Sequence, residues 1–364
     1  MLAVIIADSS FARREHAMLA RLEIGLADEG VRVVHAVPQS VLQTETAGLY
    51  STVVGYQDMG LSISRRLRAG RLAHAIRDAV GDEAATDVSV VHAFGVNCWN
   101  MALDLARIVG AGVLLEVWRS SLIGRAANLA NARPDPLPHF CVSEPSVSSA
   151  LRKRAGRALI HTAPWGVHTP DSVRPTFDRS RTLGVAVLSD SGDAKAAAAA
   201  LGGLKSACRD LSDTLIFLGA ADVPPSREAG LWSVAERLDL LPSLTAIPDM
   251  EARREPILQM DMLLIPEAAG RERSLALEAM ASGMVVIAAA DPLVSSLVDG
   301  QTARVVRSST PTAWETAIRS VTDSPDAWRS LAASGREFVR SRRSASAQIG
   351  EILKAYAEVS SVRV

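Results

Sequence analysis

The sequence predicts an α/β protein made of two similar units, each a parallel β-sheet wrapped by helices. Apolar strand-like runs alternate with helical runs from the N-terminus onward, a pattern typical of parallel sheets. A turn and a polar, arginine-rich stretch at 163–180 interrupt the alternation, which restarts with a strand at 184–188. The length of 364 residues also exceeds what one hydrophobic core usually supports.

The first half is predicted to form a Rossmann-like unit over 1–165. Its strands are short apolar runs, and two of its helices end near Gly30 and Gly110, because glycine readily adopts the conformation that ends a helix. The predicted strands lie at 2–7, 31–37, 88–93, 113–117, 140–142 and 158–162, and the predicted helices at 12–28, 62–80, 98–108 and 146–155.

The second half repeats this succession and is predicted to form a second unit over 166–335. A helix, a stop at Gly283 and a buried strand follow one another in SLALEAMASGMVVIAAA. We expect the segment 336–364 to pack back on the first unit through a helix at 345–359. The other predicted strands lie at 184–188, 214–218, 244–247 and 262–265, and the helices at 194–208, 230–238 and 254–259, with further helices after Pro311.

Composition narrows the class of protein. A net charge of -1 gives no case for a nucleic-acid partner. The three cysteines are well separated without a CxxC, and no HExxH occurs, so neither a disulfide framework nor a metal site is predicted. The first apolar run is too short for a signal peptide, and no window approaches the ~18–20 apolar residues of a membrane span. We expect a cytoplasmic protein that needs no cofactor.

Glu278 is the only charge between Ser274 and Ala290. A carboxylate in so apolar a segment is costly to desolvate unless hydrogen-bond donors meet it. Helices that follow strands line the binding crevice in α/β proteins, so a ligand's hydroxyl groups are one source of donors. The alternative is a glutamate at the rim of the fold that reaches solvent.

The stretch 264–306 resembles the donor-binding region of glycosyltransferase family 4, which has the GT-B fold. LEAMASG at 277–283 and VDG at 298–300 match the family pattern, and VVHAFG, CVSEPSVSSALRK and APWGVH resemble other family segments in the right order. The resemblance implies two Rossmann-like domains facing a central cleft, with the acceptor on the N-terminal side. It also implies retaining transfer of a sugar from a nucleoside-diphosphate sugar without a bound metal.

The resemblance also implies a set of donor-binding residues. Glu278 would accept hydrogen bonds from the ribose hydroxyls, and Lys195 would contact the phosphates, unless it is a solvated helix lysine. Ser274 is a plausible N-cap, so the backbone of Ser274 and Leu275 would face the diphosphate at the positive end of a helix.

Several positions depart from the family pattern. Gly270 stands where relatives carry a carboxylate for the transferred sugar, and Glu267 and Glu272 could replace it only if the loop shifts. Asp190 stands in place of an arginine and would repel a diphosphate, and Trp118 stands in place of a histidine that contacts the sugar. These departures leave the catalytic residues unknown.

Arg271 and Arg273 offer a compensation, because arginine binds phosphate bidentately and stays charged. The alternative is that both belong to a solvated loop tip. His92 lies near a strand's carboxyl end, the usual face for sites, and joins Trp118 and Glu267 as a candidate residue of the cleft, although a lone histidine there is more often structural.

The sequence therefore favours a retaining glycosyltransferase acting on an unknown glycan, lipid or small-molecule acceptor. The alternatives are a catalytically impaired nucleotide-sugar-binding protein of the same fold and a sugar-nucleotide epimerase, whose acid–base carboxylates are not identifiable. A nicotinamide dehydrogenase is disfavoured because no GxGxxG follows a strand. The arginine-rich helix at 61–80 could contact anionic lipid on the inner membrane face, or it is a solvated surface helix.

Overall fold

The computed structural model describes most of the chain as two compact units. Unit 1 comprises Met1–Trp165 together with Ala345–Val364, and unit 2 comprises Gly166–Ser344. The described residues are 1–42, 51–57, 63–81, 88–156, 158–189, 194–211, 213–219, 225–247, 251 and 254–361.

Unit 1 is built on a seven-stranded parallel sheet with the order β3-β2-β1-β4-β5-β6-β7. The central strands β1 and β4 are mostly apolar and are buried on both faces, as expected for strands covered by helices on both sides. Its strands are β1 Leu2–Ala7, β2 Arg32–Pro38, β3 Thr52–Tyr56, β4 Val88–Phe94, β5 Gly112–Val117, β6 His139–Val142 and β7 Leu159–Thr162. Its helices are α1 Ser9–Arg14, α2 His16–Asp28, α3 Gln39–Leu42, α4 Ile63–Val80, α5 Trp99–Val109, α6 Ile123–Ala132, α7 Pro145–Arg154 and, at the end of the chain, α14 Ala345–Ser360.

The helix predicted at 12–28 is in fact two helices. Asp8 caps the first of them, α1, because its side chain accepts a hydrogen bond from the backbone N–H of Phe11 at 2.9 Å. Glu15 lies between the two helices, as the C-cap of α1 and the N-cap of α2. Because Asp8 caps the helix directly after β1, the helical region begins at Ser9 and not at residue 12, as the apolar pattern predicted.

The C-terminal helix α14 packs closely on unit 1 at two glycines. A Cβ atom added to Gly25 in α2 would lie 2.5 Å from the side chain of Ile349, and one added to Gly112 in β5 would lie 2.4 Å from the backbone oxygen of Val359. Tyr356 is completely buried. Because the two glycines have no side chains, α14 can pack this closely against α2 and β5.

Unit 2 is built on a six-stranded parallel sheet with the order β10-β9-β8-β11-β12-β13. Its strands are β8 Leu183–Leu188, β9 Thr214–Gly219, β10 Leu244–Ile247, β11 Met262–Ile265, β12 Val285–Ala289 and β13 Arg304–Val306. Its helices are α8 Ala194–Ala207, α9 Pro225–Arg237, α10 Arg254–Ile257, α11 Ser274–Ser282, α12 Pro311–Thr322 and α13 Pro325–Arg342. The apolar faces of α8 and α12 cover one side of the sheet around Trp314.

Unit 2 extends beyond the boundary expected at residue 335. Ser324 caps α13, and the helix continues without a break to Arg342. The chain returns to unit 1 only at Ala345. In the described residues, every helix is too short or too polar to serve as a membrane span.

Candidate functional site

The strand order of unit 2 reverses between β8 and β11, and two polar side chains meet at this point. Ser189 follows β8 and Glu267 follows β11, and the hydroxyl of Ser189 donates a hydrogen bond to Glu267 Oε1 at 2.9 Å. Both residues are buried. In open parallel sheets the crevice beyond the carboxyl ends of the strands at such a reversal is the usual ligand site.

Two cavities open beside Glu267. The larger has a volume of about 360 Å³ and is lined by Glu267, by Ala196 near the start of α8, by Ala290 after β12 and by Arg307 and Ser308 after β13. The smaller is a narrow cavity, whose lining includes Glu267, Arg271, Arg273 and Asp291. Glu267 is therefore the predicted site residue that borders both cavities.

Arg271 and Arg273 are buried, so the alternative of a solvated loop tip was wrong. Both approach the carboxylate of Glu251. Arg273 Nη1 lies 3.1 Å from Glu251 Oε1, and Arg271 Nη2 lies 3.6 Å from Glu251 Oε2. The sequence did not point to Glu251, which lies just before the short helix α10. A role of the two arginines in phosphate binding stays a prediction.

Glu278 does not depend on a ligand to neutralise its charge, and this corrects the reasoning from the sequence. Its Oε1 lies 2.5 Å from Nη1 of Arg254, and both side chains are nearly buried, with exposed fractions of 11% and 6%. Arg254 Nε also donates to the backbone oxygen of Glu251 at 2.7 Å. Among the described residues, Glu278 is not part of the lining of either cavity. Its contact with a ribose stays a prediction.

The N-cap of α11 is Arg273, not Ser274 as expected. The backbone oxygen of Arg273 accepts hydrogen bonds from the N–H groups of Ala276 and Leu277, so Ser274 is the first residue of the helix. Ser274 and Leu275 are fully buried at this helix start. Contact of their backbone with a diphosphate stays a prediction.

Gly270 takes a conformation that suits glycine, with φ of +57°. Its N–H donates to Oδ2 of Asp291 at 2.6 Å, and Oδ1 of Asp291 accepts from the N–H of Leu293 at 3.0 Å. Asp291 thus holds the loop after β11 against the loop after β12. A carboxylate side chain at position 270 would require a different loop conformation.

Glu272 is not positioned to replace the missing carboxylate. It is buried, accepts a hydrogen bond from the hydroxyl of Ser296 at 2.8 Å and lies 3.4 Å from Nη1 of Arg343. Of the two acids that could replace the missing carboxylate, Glu267 is the one that borders the cavities. Lys195 is exposed in the first turn of α8, and Asp190 lies outside the described residues.

His92 is inside the core of unit 1 and is not an exposed cleft residue. Its side chain is completely buried, with Nδ1 at 3.0 Å from the hydroxyl of Tyr356 and Nε2 at 3.4 Å from Glu116 Oε2. Burial lowers the pKa of His92, although the neighbouring Glu116 opposes the shift. The histidine therefore belongs to a buried polar cluster that includes Glu116 and Tyr356.

Trp118 is also buried, which does not suit a residue that contacts a sugar. Its ring stacks on Trp165 with centroids 6.4 Å apart and packs edge-on against Phe11. The guanidinium groups of Arg119 and Arg14 lie 4.9 Å and 5.6 Å from its centroid. Trp118 therefore fills space at the carboxyl end of β5.

The arginines of the basic helix α4 are not all available to a partner. Arg65 forms an ion pair with Asp104 at 2.6 Å, and Arg68 donates to the backbone oxygen of Gln57 at 3.1 Å. Leu67 and Arg71 are exposed. Contact of this helix with a membrane stays a prediction.

Solved structures with the same architecture cover nearly the whole chain. The glycosyltransferase from Rickettsia africae has a TM-score of 0.72 at 12% identity over 98% of each chain. Sucrose-phosphate synthase from Thermosynechococcus elongatus has a TM-score of 0.75 at 13% identity over 99% of each chain. HepE from Anabaena in complex with UDP-glucose has a TM-score of 0.72 at 14% identity, over 98% of this chain and 100% of HepE.

These likenesses show that the chain has the GT-B fold of glycosyltransferases, which confirms the predicted fold class. No protein-family model matches the chain, and no curated protein matches it in sequence. Membership of glycosyltransferase family 4 therefore stays a prediction from the motifs.

Proposed function

We propose that the protein is a glycosyltransferase that binds a nucleoside-diphosphate sugar in unit 2 and transfers the sugar with retention. The observation that carries this proposal is the pair Ser189–Glu267 at the strand reversal, beside a cavity of about 360 Å³. Among proteins of the same fold, HepE has been solved with UDP and with UDP-glucose. The acceptor is not defined by the described residues.

In this proposal Glu267 accepts hydrogen bonds from hydroxyls of the transferred sugar, in place of the carboxylate missing at Gly270. The hydrogen bond from Ser189 fixes the orientation of the carboxylate. The carboxylate borders the cavity of about 360 Å³ and can orient a sugar that binds there. Such positioning is a large part of what a transferase must supply.

The diphosphate is proposed to bind at the start of α11, where Arg271 and Arg273 line the narrow cavity. This cavity has a volume of about 10 Å³, which is room for about one water molecule, so both side chains must move to admit the diphosphate. Its negative charge would compete with Glu251 for these guanidinium groups. Arg271 and Arg273 lie 3.6 Å and 3.1 Å from Glu251, and both contacts would loosen when the diphosphate binds. Lys195 and the helix N-terminus would add positive potential.

A binding protein without transfer activity is the second candidate. Gly270 removes a sugar contact, and Glu278 is already paired with Arg254. Both observations reduce the contacts available to a donor in the described structure. Such a protein would bind the nucleotide but neither transfer nor hydrolyse the sugar.

The experiment compares wild-type protein with Glu267→Gln, which retains an acceptor for Ser189 but removes the charge. Titration calorimetry with UDP, GDP, ADP and their sugars first identifies the nucleotide. We expect Glu267→Gln to bind the sugar nucleotide about tenfold more weakly, or ~1.4 kcal/mol, and the nucleoside diphosphate equally well. The control is Glu337→Gln, an exposed acid on α13 that pairs with Arg340.

Mass spectrometry then separates the two candidates, because only a transferase releases the sugar from the bound donor. Release by wild-type protein that is lost in Glu267→Gln supports transfer. Tight nucleotide binding without release supports the binding protein. If none of the nucleotides or sugar nucleotides binds, the proposed site is wrong.

A further inference from the structure

Three potential metal ligands meet inside unit 1, whereas the proposed donor site belongs to unit 2. His92, Glu116 and Cys141 lie on the neighbouring strands β4, β5 and β6. One ligand atom of each lies within 4.8 Å of those of the other two, and all three residues are buried. None of these side chains has a role in the proposed function, which is confined to unit 2.

The contacts around the cluster resemble the outer shell of a metal site. His92 Nδ1 is 3.0 Å from the hydroxyl of Tyr356, and Glu116 Oε1 accepts a hydrogen bond from Trp165 Nε1 at 2.9 Å. A histidine that binds a metal through one ring nitrogen usually makes a hydrogen bond through the other. Carboxylates that bind a metal are held in place by hydrogen bonds in the same way. These contacts therefore fix His92 and Glu116, and leave one buried atom of each facing the other.

Those two free atoms are His92 Nε2 and Glu116 Oε2. Both are buried, and neither has a hydrogen-bond partner within the described residues. They lie 3.4 Å apart, in a geometry that does not make a hydrogen bond. A tetrahedral site with metal–ligand bonds of about 2.0–2.1 Å places its ligand atoms about 3.4 Å apart. Unsatisfied buried polar atoms are rare, and a bound ion is one explanation for them.

We propose that His92, Glu116 and Cys141 bind a divalent transition-metal ion, with zinc favoured by the ligand chemistry. Zinc accepts imidazole, carboxylate and thiolate together. With His92 protonated on Nδ1, Nε2 supplies a lone pair, while the carboxylate and the thiolate supply two negative charges. The divalent ion then makes the buried cluster neutral, and a fourth position is left for water or a small ligand.

The ion would replace the proton of Cys141. Burial raises the pKa of this thiol, so the metal-free cluster holds it protonated, and metal binding releases that proton. Loading must accompany folding, because all three residues are closed off from solvent. The metal would join β4, β5 and β6 at the place where α14 covers them through Tyr356.

The test measures metal in untagged full-length protein from cells grown in minimal medium with zinc or with cobalt. Elemental analysis should find about one metal ion per chain in the wild type. The cobalt form should show a near-ultraviolet charge-transfer absorption from the thiolate. Cys141→Ala should lose both, with at least about a tenfold fall in metal content. Cys208→Ala, in unit 2, is the matched control and should keep both.

Folded wild-type protein without metal from either medium would overturn the proposal. So would a metal content that Cys141→Ala leaves unchanged, since the ion would then be bound elsewhere. Glu116→Gln is the second variant should Cys141→Ala not fold, and it is expected to lower metal content as well. Donor binding by unit 2 is measured separately, so failure of this proposal leaves the proposed function untouched.

Discussion

At the scale of single residues, the buried charges of unit 2 show what the sequence could and could not reveal. The sequence indicated that Glu278 needs a partner, because the surrounding segment is apolar. It could not name Arg254, since that residue lies on another helix and reaches Glu278 only after folding. The same holds for Glu251, which joins Arg271 and Arg273. The apolar sequence around a buried charge therefore predicts that the charge needs a partner, but only the folded structure shows which residue that partner is.

The cluster in unit 1 was hidden for a related reason. Metal motifs are recognised in sequence by short spacings such as CxxC. His92, Glu116 and Cys141 lie on separate strands with a helix between each pair, so no short motif connects them. The expectation of no metal site rested on the spacing of residues along the sequence. That spacing does not show which side chains a parallel sheet brings together.

Loss of Arg254 is expected to destabilise the protein strongly. Arg254→Met removes the ion pair with Glu278, whose carboxylate is nearly buried, and we expect the free energy of unfolding to fall by up to about 3–5 kcal/mol. The double variant Arg254→Met/Glu278→Leu should recover most of that loss. Urea unfolding followed by tryptophan fluorescence measures both effects.

The control for this prediction is Arg340→Met, which breaks an exposed ion pair with Glu337. It should leave the urea midpoint essentially unchanged. Equal stability of Arg254→Met and the wild type would show that the Arg254–Glu278 pair does not hold this part of unit 2 together.

At the scale of elements, most strands were predictable because they are continuous apolar runs. The prediction at 2–7 coincides with β1, and that at 262–265 with β11. The strands that sequence analysis missed, β3 and β13, lie at sheet edges and are short and partly exposed. Edge strands have a neighbour on one side only, so their hydrophobic pattern is weaker and their pairing depends on the assembled sheet.

Close packing of α14 predicts a specific effect of a methyl group at Gly112. Its Cβ would lie 2.4 Å from the backbone oxygen of Val359, so Gly112→Ala must displace the end of the helix. We expect a loss of about 1–3 kcal/mol in the free energy of unfolding. Urea unfolding measures the loss, and limited proteolysis should cut the loosened helix sooner.

Gly350→Ala is the matched control, since Gly350 lies within α14 and a Cβ there meets no atom within 4 Å. This variant should be slightly more stable than the wild type, by up to ~1 kcal/mol, because alanine favours the helix. If Gly112→Ala were as stable as Gly350→Ala, the contact between β5 and α14 would not be close in solution.

At the scale of the whole molecule, the fold follows from the repeated strand–helix pattern, whereas the function does not. Two parallel sheets, in each of which the strand order reverses, define the fold, whereas the proposed donor site depends on the loops that follow β8, β11 and β12. Motifs such as LEAMASG pointed to one of these loops. They did not locate Ser189 or Asp291, which reach that loop from other strand ends.

A nucleotide should protect unit 2 from hydrogen exchange. At a concentration of about ten times its Kd, the identified nucleoside diphosphate should slow exchange about tenfold in amides of 264–283 that exchange through local opening. Exchange measured by mass spectrometry, with the nucleoside alone as control, separates phosphate-dependent protection from general stabilisation. Protection confined to unit 1 would place the nucleotide elsewhere.

The order of the two units along the chain has a consequence for biosynthesis. Unit 2 is one uninterrupted segment, whereas unit 1 begins with the first residues and is completed by Ala345–Val364. A ribosome therefore makes all of unit 2 before it makes the helix that carries Tyr356. The surface around Gly25 and Gly112 therefore stays exposed on the nascent chain until the ribosome has made α14.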